Sequence, residues 1–379
     1  MAGLYIHIPF CASRCIYCGF YSTTSLEARS RYVEALKAEM VLRRQYLQQA
    51  AKDGGAQDST IRTIYIGGGT PSQLTIEQIH GLFEAIGSCY GNHSIETTFE
   101  ANPDDITPQL AKALKEAGVN RVSMGAQTFD DSRLRFLRRR HTSAEVATAM
   151  DTLRQAGIEN VSIDLMFGFP GETIQQWEAD IRHALQLHPS HVSAYSLMYE
   201  EHTPLMRMLE KGEVGEADDD TAAAMYKLMS DILRAEGFEH YEISNFALPG
   251  KRAIHNSNYW NGTPYIGIGA AAHSYNIESR QWNVSNINKY IEAISKGSVP
   301  AETEQLDDDT RYDDTVTTAL RTKEGIDLSS LDARYKKLIL KCAAPYIRSG
   351  KANLDGEWLR LTLDGWLVSD MIMSDLMIV

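Results

Sequence analysis

No stretch of the 379 residues approaches the roughly 18 consecutive apolar positions that a membrane-spanning helix needs. A helical membrane protein is thereby excluded. Positive charge is scarce too: 37 Lys and Arg stand against 50 Asp and Glu, for a formal net charge of -13. Sequence-independent phosphate binding needs a basic surface, so neither nucleic acid nor an anionic membrane is the expected partner. Arg138-Arg139-Arg140 is a local exception. Cysteine is both rare and odd in number, five residues, which rules out a disulfide framework. The first residues lack the basic and apolar regions of a secretory signal, and a reducing cytoplasm is the expected location. What is there in quantity is ordinary for a globular chain: 43% hydrophobic and 23% charged residues.

Three of the five cysteines are nevertheless bunched, in Tyr5-Ile6-His7-Ile8-Pro9-Phe10-Cys11-Ala12-Ser13-Arg14-Cys15-Ile16-Tyr17-Cys18. The Cys-x3-Cys-x2-Cys spacing is tight enough to wrap one metal centre. Thiolates hold iron-sulfur clusters, usually four at a time, and Cys89 and Cys342 sit in unrelated helical contexts. Three ligands leave one iron open, and an open coordination position is the mark of a catalytic rather than a structural metal. Two alternatives stand beside this reading: a Cys3His zinc site completed by His7, and three free core cysteines.

The cysteine run, with Tyr17 before its last member, resembles the cluster loop of radical S-adenosylmethionine (SAM) enzymes. There a [4Fe-4S] cluster takes the amine and carboxylate of SAM on its fourth iron. The leading Tyr-x-His-x-Pro-Phe-Cys is similar to the oxygen-independent coproporphyrinogen III oxidase (HemN)-like family, which includes haem chaperones as well as oxidases.

Along the chain, strands alternate with helices. Strands are expected at 4–8, 61–66, 94–100, 121–124, 161–166 and 191–197. Helices are expected at 26–50, 75–90, 107–117, within 130–156 and at 173–187, and Ala51-Lys52-Asp53-Gly54-Gly55-Ala56-Gln57-Asp58-Ser59 reads as a polar loop. Repeated strand-helix units with right-handed crossovers imply an α/β fold with a parallel sheet, open or closed as a barrel. The resemblance narrows this to a partial (βα)6 barrel. Three regions are expected: 1–235 as the barrel with its cluster loop, 236–299 as an extension of it, and 300–379 as a small C-terminal domain. In the last, helices near 312–321 and 328–349 precede a hairpin at 354–363, a winged-helix-like order, and an acidic linker from Glu302 to Asp309 marks its start.

Barrel active sites lie at the carboxyl ends of strands, and polar residues follow almost every apolar run here. Gly67-Gly68-Gly69-Thr70-Pro71 follows the second strand. It lacks the Lys of a phosphate loop and reads either as a ligand-hugging backbone or as a plain turn. Glu100 ends the third strand, Gln127 follows the fourth, and Asp164 interrupts the apolar fifth, where a carboxylate is costly unless it faces a polar cavity. Each could instead be a helix cap or a surface ion pair. The resemblance implies that Tyr5, Tyr17, Gly68, Gly69, Thr70, Glu100, Gln127, Arg139 and Asp164 bind SAM, with Cys11, Cys15 and Cys18 on the cluster. Gly168-Phe169-Pro170-Gly171-Glu172-Thr173 is read as a turn and helix start without chemistry, and the acids from Glu213 to Asp220 as the cap of a helix at 221–235.

Beyond the barrel, small residues from Tyr265 to Ser274 imply close backbone approach to a ligand or a neighbour. In His255-Asn256-Ser257-Asn258-Tyr259-Trp260 the imidazole is either a hydrogen-bonded structural group or an axial haem ligand. The pattern resembles a signature of the haem-chaperone branch, which implies that His255 contacts haem. Phe20 stands where the oxidases carry a further cysteine, and the cluster loop begins at residue 11, earlier than theirs. Gly19 departs from the Asp common in the chaperones. The expected function is therefore a radical SAM haem chaperone, with a haem-acceptor protein and a flavodoxin-type reductant as partners. The alternative is oxidative decarboxylation of coproporphyrinogen III to protoporphyrinogen IX.

Overall fold

The computed structural model describes residues 1–51 and 59–378, without the side chains of 49–51. The expected polar loop at 51–59 thus falls almost wholly outside the described residues. Six strand-helix units build the first half. The strands are β1 (Ala2–Ile8), β2 (Ile61–Gly68), β3 (Glu96–Ala101), β4 (Arg121–Gln127), β5 (Asn160–Phe167) and β6 (His191–Ser196). The helices are α1 (Arg29–Leu42), α2 (Ile76–Tyr90), α3 (Pro108–Glu116), α4 (Asp131–Phe136), α5 (Ser143–Gln155), α6 (Ile174–Gln186), α7 (Pro204–Glu210) and α8 (Asp219–Ala235). Threonine opens several of them. Thr75, Thr142 and Thr173 form capping boxes with Gln78, Glu145 and Gln176, satisfying backbone donors that the first helical turn leaves free.

Strands β1 to β6 pair in order and in parallel. The sheet then continues at both ends. The hairpin β7 (Glu239–Glu242) and β8 (Asn245–Ala247) lies antiparallel beside β6, its two strands joined by a turn at Ile243-Ser244. After the short helix α9 (Ile254–Trp260), β9 (Tyr265–Ile268) pairs in parallel with the other side of β1. Antiparallel β10 (His273–Tyr275), β11 (Ser279–Asn283) and β12 (Ala301–Gln305) follow, with α10 (Ile287–Ser295) between the last two. The expected acidic linker therefore begins as an edge strand. Glu302 and Glu304 sit opposite Trp282 and Arg280, which lets the strand carry its charge in cross-strand pairs. The order β12-β11-β10-β9-β1-β2-β3-β4-β5-β6-β8-β7 is an open sheet, a partial barrel rather than a closed one.

The C-terminal part has α11 (Asp308–Ala319), β13 (Ile326–Asp327), α12 (Ala333–Arg348), the hairpin β14 (Ala352–Asp355) and β15 (Trp358–Leu361), then α13 (Leu363–Trp366) and α14 (Ser369–Leu376). Two helices and a three-stranded sheet in the order β13-β15-β14 make it winged-helix-like. Ile372, Met373 and Leu376 of α14 join the continuous core.

The two faces of the barrel sheet differ in chemistry. Leu4, Ile6, Ile8, Ile64, Ile66, Val122, Met124, Val161, Ile163 and Leu165 are buried against the helices. The alternate positions, which share the other face, include Tyr5, Tyr65, Glu100, Ser123, Asp164 and Ser193. Period-two alternation normally separates core from solvent; here it separates core from an enclosed polar lumen. Tyr195 on this inner face is 42% exposed although barrel walls surround it, so its exposure is to the lumen.

Candidate functional site

The cluster loop leaves the carboxyl end of β1 and crosses the lumen mouth. Cys11 N donates to Thr23 O (2.9 Å), Ile16 N to Leu137 O (3.3 Å), and Ile16 O accepts from Leu205 N (3.0 Å), which ties the loop to both rims. Thr70 Oγ1 donates to Cys11 Sγ (3.4 Å) and Arg139 Nη1 to Cys15 Sγ (3.7 Å). Burial pushes the Cys11 and Cys18 thiols up, and the neighbouring Cys15 adds like-charge repulsion. Three ionised sulfurs in such a place need a cation. Among the described residues no three His, Cys, Asp or Glu side chains converge on a single ion. His7 does not join the cysteines: its Nε2 donates to Tyr21 O (3.0 Å), leaving Nδ1 to accept from Tyr5 OH (2.9 Å). The Cys3His zinc alternative therefore lacks its fourth ligand. A cubane cluster presents three separate irons to three separated thiolates, and the donor set fits it, with Thr70 and Arg139 as hydrogen-bond donors to sulfur.

Below the loop lies the glycine turn. Gly68 has φ 110°, and a Cβ on it would meet the His7 ring at 2.5 Å; one on Gly69 would meet the Pro9 carbonyl carbon at 2.8 Å. Gly68 and Gly69 are thus required by the chain's own approach of β2 to β1 and the loop after it. Gly68 N donates to Glu100 Oε2 (3.0 Å) and Tyr65 OH to Glu100 Oε1 (2.7 Å). Burial raises Glu100 to about 7; the Tyr65 hydrogen bond opposes the rise and Asp164 adds to it. Gln127 adopts φ 68°, a left-handed conformation uncommon outside glycine. Its side chain and that of Arg139 converge over Gly125, where an added Cβ would meet Gln127 Nε2 at 2.8 Å and Arg139 Nη2 at 3.2 Å. Arg139 Nη2 donates to Gly125 O (2.5 Å) and Asn102 Oδ1 (2.7 Å), while its buried Nε has no partner. An orphan donor beside the cysteines suits a carboxylate ligand. Tyr17 stands in the same field, its hydroxyl raised by burial and by Cys15. Asp164 lies deeper, between Ser123 Oγ (3.0 Å) and Ser162 Oγ (3.1 Å), raised by burial against the opposing effects of Ser193 and Arg121.

His255 is in another place. It is 1% exposed, beneath the lumen, with Nδ1 on Thr63 Oγ1 (2.9 Å) and Nε2 on Tyr259 OH (2.9 Å). Burial, assisted by the Arg121 charge, lowers it to about 3. Both ring nitrogens are engaged, the arrangement of the hydrogen-bonded structural alternative, and α9 stoppers the barrel. Glu96 fixes that stopper, accepting Ile254 N (2.8 Å) and His255 N (2.7 Å) in place of a side-chain cap. The floor contains residues the sequence reading overlooked. Arg121 is 1% exposed, with Nε and Nη1 unpartnered and no ion pair among the described residues, and Ser162 Oγ, His191 and Tyr241 OH form a chain of 2.8 Å contacts. The period-two alternation of polar residues within β3 to β6 was the available signal.

The turn Gly168-Phe169-Pro170-Gly171 is held by Glu172, which accepts Gly168 N (2.7 Å) and pairs with Arg133 (2.8 Å), while Thr173 caps α6.

Residues 5–184 match the model of the radical SAM superfamily. The "Heme chaperone HemW" of Bacillus subtilis is 37% identical over 340 residues, covering 88% of this chain and 87% of that protein. That of Mycobacterium tuberculosis is 34% identical over 381 residues, covering 99% and 94%. In structure, the chain is similar to the radical SAM enzyme coproporphyrinogen III oxidase (HemN) of Escherichia coli, with a TM-score of 0.83 at 21% identity, over 100% of this chain and 90% of that one. At that identity the likeness speaks for the fold. Superfamily membership implies a [4Fe-4S] cluster and SAM. With relatives this similar along nearly its whole length, the chain belongs to the HemW family of radical SAM proteins.

Proposed function

We propose that the protein is a haem chaperone, which takes up haem and delivers it to an acceptor protein in the cytoplasm, with a flavodoxin-type protein as reductant. The observation that carries the reading is the near full-length identity to proteins named haem chaperones. In this reading Cys11, Cys15 and Cys18 hold the cluster, which when bound offers an open iron position to the amine and carboxylate of SAM. Arg139 faces the carboxylate with its free Nε, Gln127 and Glu100 take the amine and a ribose hydroxyl, and Asp164 accepts a second hydroxyl from below. Tyr5, Tyr17, Gly68, Gly69 and Thr70 close the pocket around them. Among the described residues no helix is long and apolar enough to cross a membrane.

Anaerobic protein supplied with SAM and reductant is expected to retain haem and to leave coproporphyrinogen III unchanged. Formation of protoporphyrinogen IX would replace the chaperone by an oxidase. For the pocket, Asp164→Asn and Arg139→Ala are each expected to weaken SAM binding about tenfold, the worth of one or two hydrogen bonds to charge, while the iron content stays at the wild-type level. Unchanged SAM affinity in both variants refutes the assignment.

A further inference from the structure

The inner face of the sheet does not stop at β1. Register carries it through β9 into the antiparallel strands: Gly3 pairs with Tyr265, Tyr265 with Tyr275, and His273, two residues from Tyr275, pairs with Trp282. Side chains two apart on a strand share a face. His273 therefore stands on the same face as Tyr5 and His7, on a shelf beside the lumen, and the two imidazoles are near enough to feel each other's charge. It is exposed, and its ring makes no hydrogen bond among the described residues, whereas His7, His191 and His255 have both nitrogens engaged. The Trp282 ring lies beside it, centroids 6.2 Å apart and planes at 29°.

We propose that His273, not His255, is the residue of this chain that ligates the iron of haem, with Trp282 packed against the macrocycle. An imidazole on iron stands upright on the porphyrin, so a Trp282 ring nearly parallel to it meets the porphyrin edge-to-face, a favoured aromatic geometry. Partial burial and the nearby Arg280 lower the imidazole's proton affinity, which keeps it in the neutral form that binds metal. The shelf is rigid from behind: Arg43, which follows α1, donates to Gly267 O (2.7 Å), Ser274 Oγ (3.0 Å) and Gln281 Oε1 (3.0 Å). Arg280 on the same face is taken by Glu304 and Asp314, so iron ligation rather than propionate pairing carries the affinity. The exposed His183, stacked on Phe129, lies on α6 outside the barrel and serves as a control.

This inference rests on the haem-binding reading, and the experiment separates the two. Full-length protein is titrated with ferric haem and with metal-free protoporphyrin IX, following the Soret band. Wild type is expected to show a nitrogen-ligated Soret position and to bind haem at least about tenfold more tightly than the metal-free ring. His273→Ala is expected to lose that position and about tenfold in affinity, with free imidazole restoring the spectrum; His183→Ala and Tyr259→Phe are expected to keep the wild-type spectrum. If wild type takes up no haem, the chaperone reading fails and this one with it. If wild type binds and His273→Ala binds with the same spectrum and affinity, His273 is not the ligand and the chaperone reading stands.

Discussion

The mouth and the floor of the lumen are built from similar residues and behave oppositely. At the mouth, groups are left open: three free thiols share one loop, Arg139 Nε is an orphan, and Phe20 is 71% exposed beside the cluster loop. At the floor, His255, Thr63, Tyr259 and Glu96 satisfy one another within a few residues, out of contact with solvent. Unsatisfied polar groups cost stability, and they are kept where something else will satisfy them. The mouth is organised to receive and the floor to close. Arg121 is the exception below: a buried cation without an ion pair, whose charge favours the ionised forms of Glu100 and Asp164 above it and the neutral forms of His191 and His255 beside it.

The contrast breaks most sharply at the cysteines. Serine at any of Cys11, Cys15 or Cys18 is expected to abolish the iron-sulfur absorbance of anaerobically reconstituted protein without moving the urea midpoint of the metal-free chain. One zinc per chain and no iron in the wild type would contradict it. The reverse separation comes from the floor. Glu96→Ala strands two buried backbone donors at the head of α9, and urea unfolding is expected to register about 3 kcal/mol of lost stability with iron content unchanged. Glu96→Gln, which keeps one acceptor, should lose about half. A loss below about 1 kcal/mol for the alanine variant would mean that α9 is held by other contacts.

Acid should find the floor before the mouth. His255 titrates near 3 when folded, against 6.5 for an unperturbed imidazole. Between those values the unfolded chain binds more protons, so stability is lost as pH falls through about 6.5 and continues to fall toward 3. From this histidine alone the loss at pH 5 is about 2 kcal/mol. Urea titrations at pH 7 and pH 5 on wild type and His255→Asn check this: the difference between the two pH values should be smaller in the variant by that amount. Equal pH dependence would place the acid sensitivity in His191 or His240, which are lowered by the same burial. The smallest expected effect lies back at the mouth. Thr70→Val removes a donor from Cys11 sulfur, and since hydrogen bonds to sulfur raise a cluster's potential, the midpoint is expected to shift to more negative values with cluster content intact. An unchanged midpoint would make Thr70 a packing residue.

The alternation of strands and helices was legible because long periodic segments and threonine caps are local signals, and the cysteine loop was legible because spacing alone defines it. Glu100, Gln127 and Asp164 were picked out by looking at strand ends, and Glu100 and Asp164 share the inner face of the sheet. Arg121 and Tyr65 were missed although they obey the same alternation. A charged residue opening a strand reads as a solvent-exposed rim, and only the register across three strands shows that Arg121 points inward. The surroundings of His255 were not legible for a related reason. A helix of seven residues carries too few turns to show periodicity, so no local signal placed its imidazole. Its partners Thr63 and Glu96 lie far away in sequence, on β2 and β3.

The pairing of β9 with β1 has a consequence in time. The chain's first strand lies in the middle of the finished sheet, but its neighbour on one side is Tyr265–Ile268. At ribosomal rates of about 5–20 residues per second, β1 remains a bare edge for roughly 15–50 s after it emerges. Throughout that interval the thiols at its end are attached to an unfinished wall, and α9 has not yet sealed the chamber beneath them.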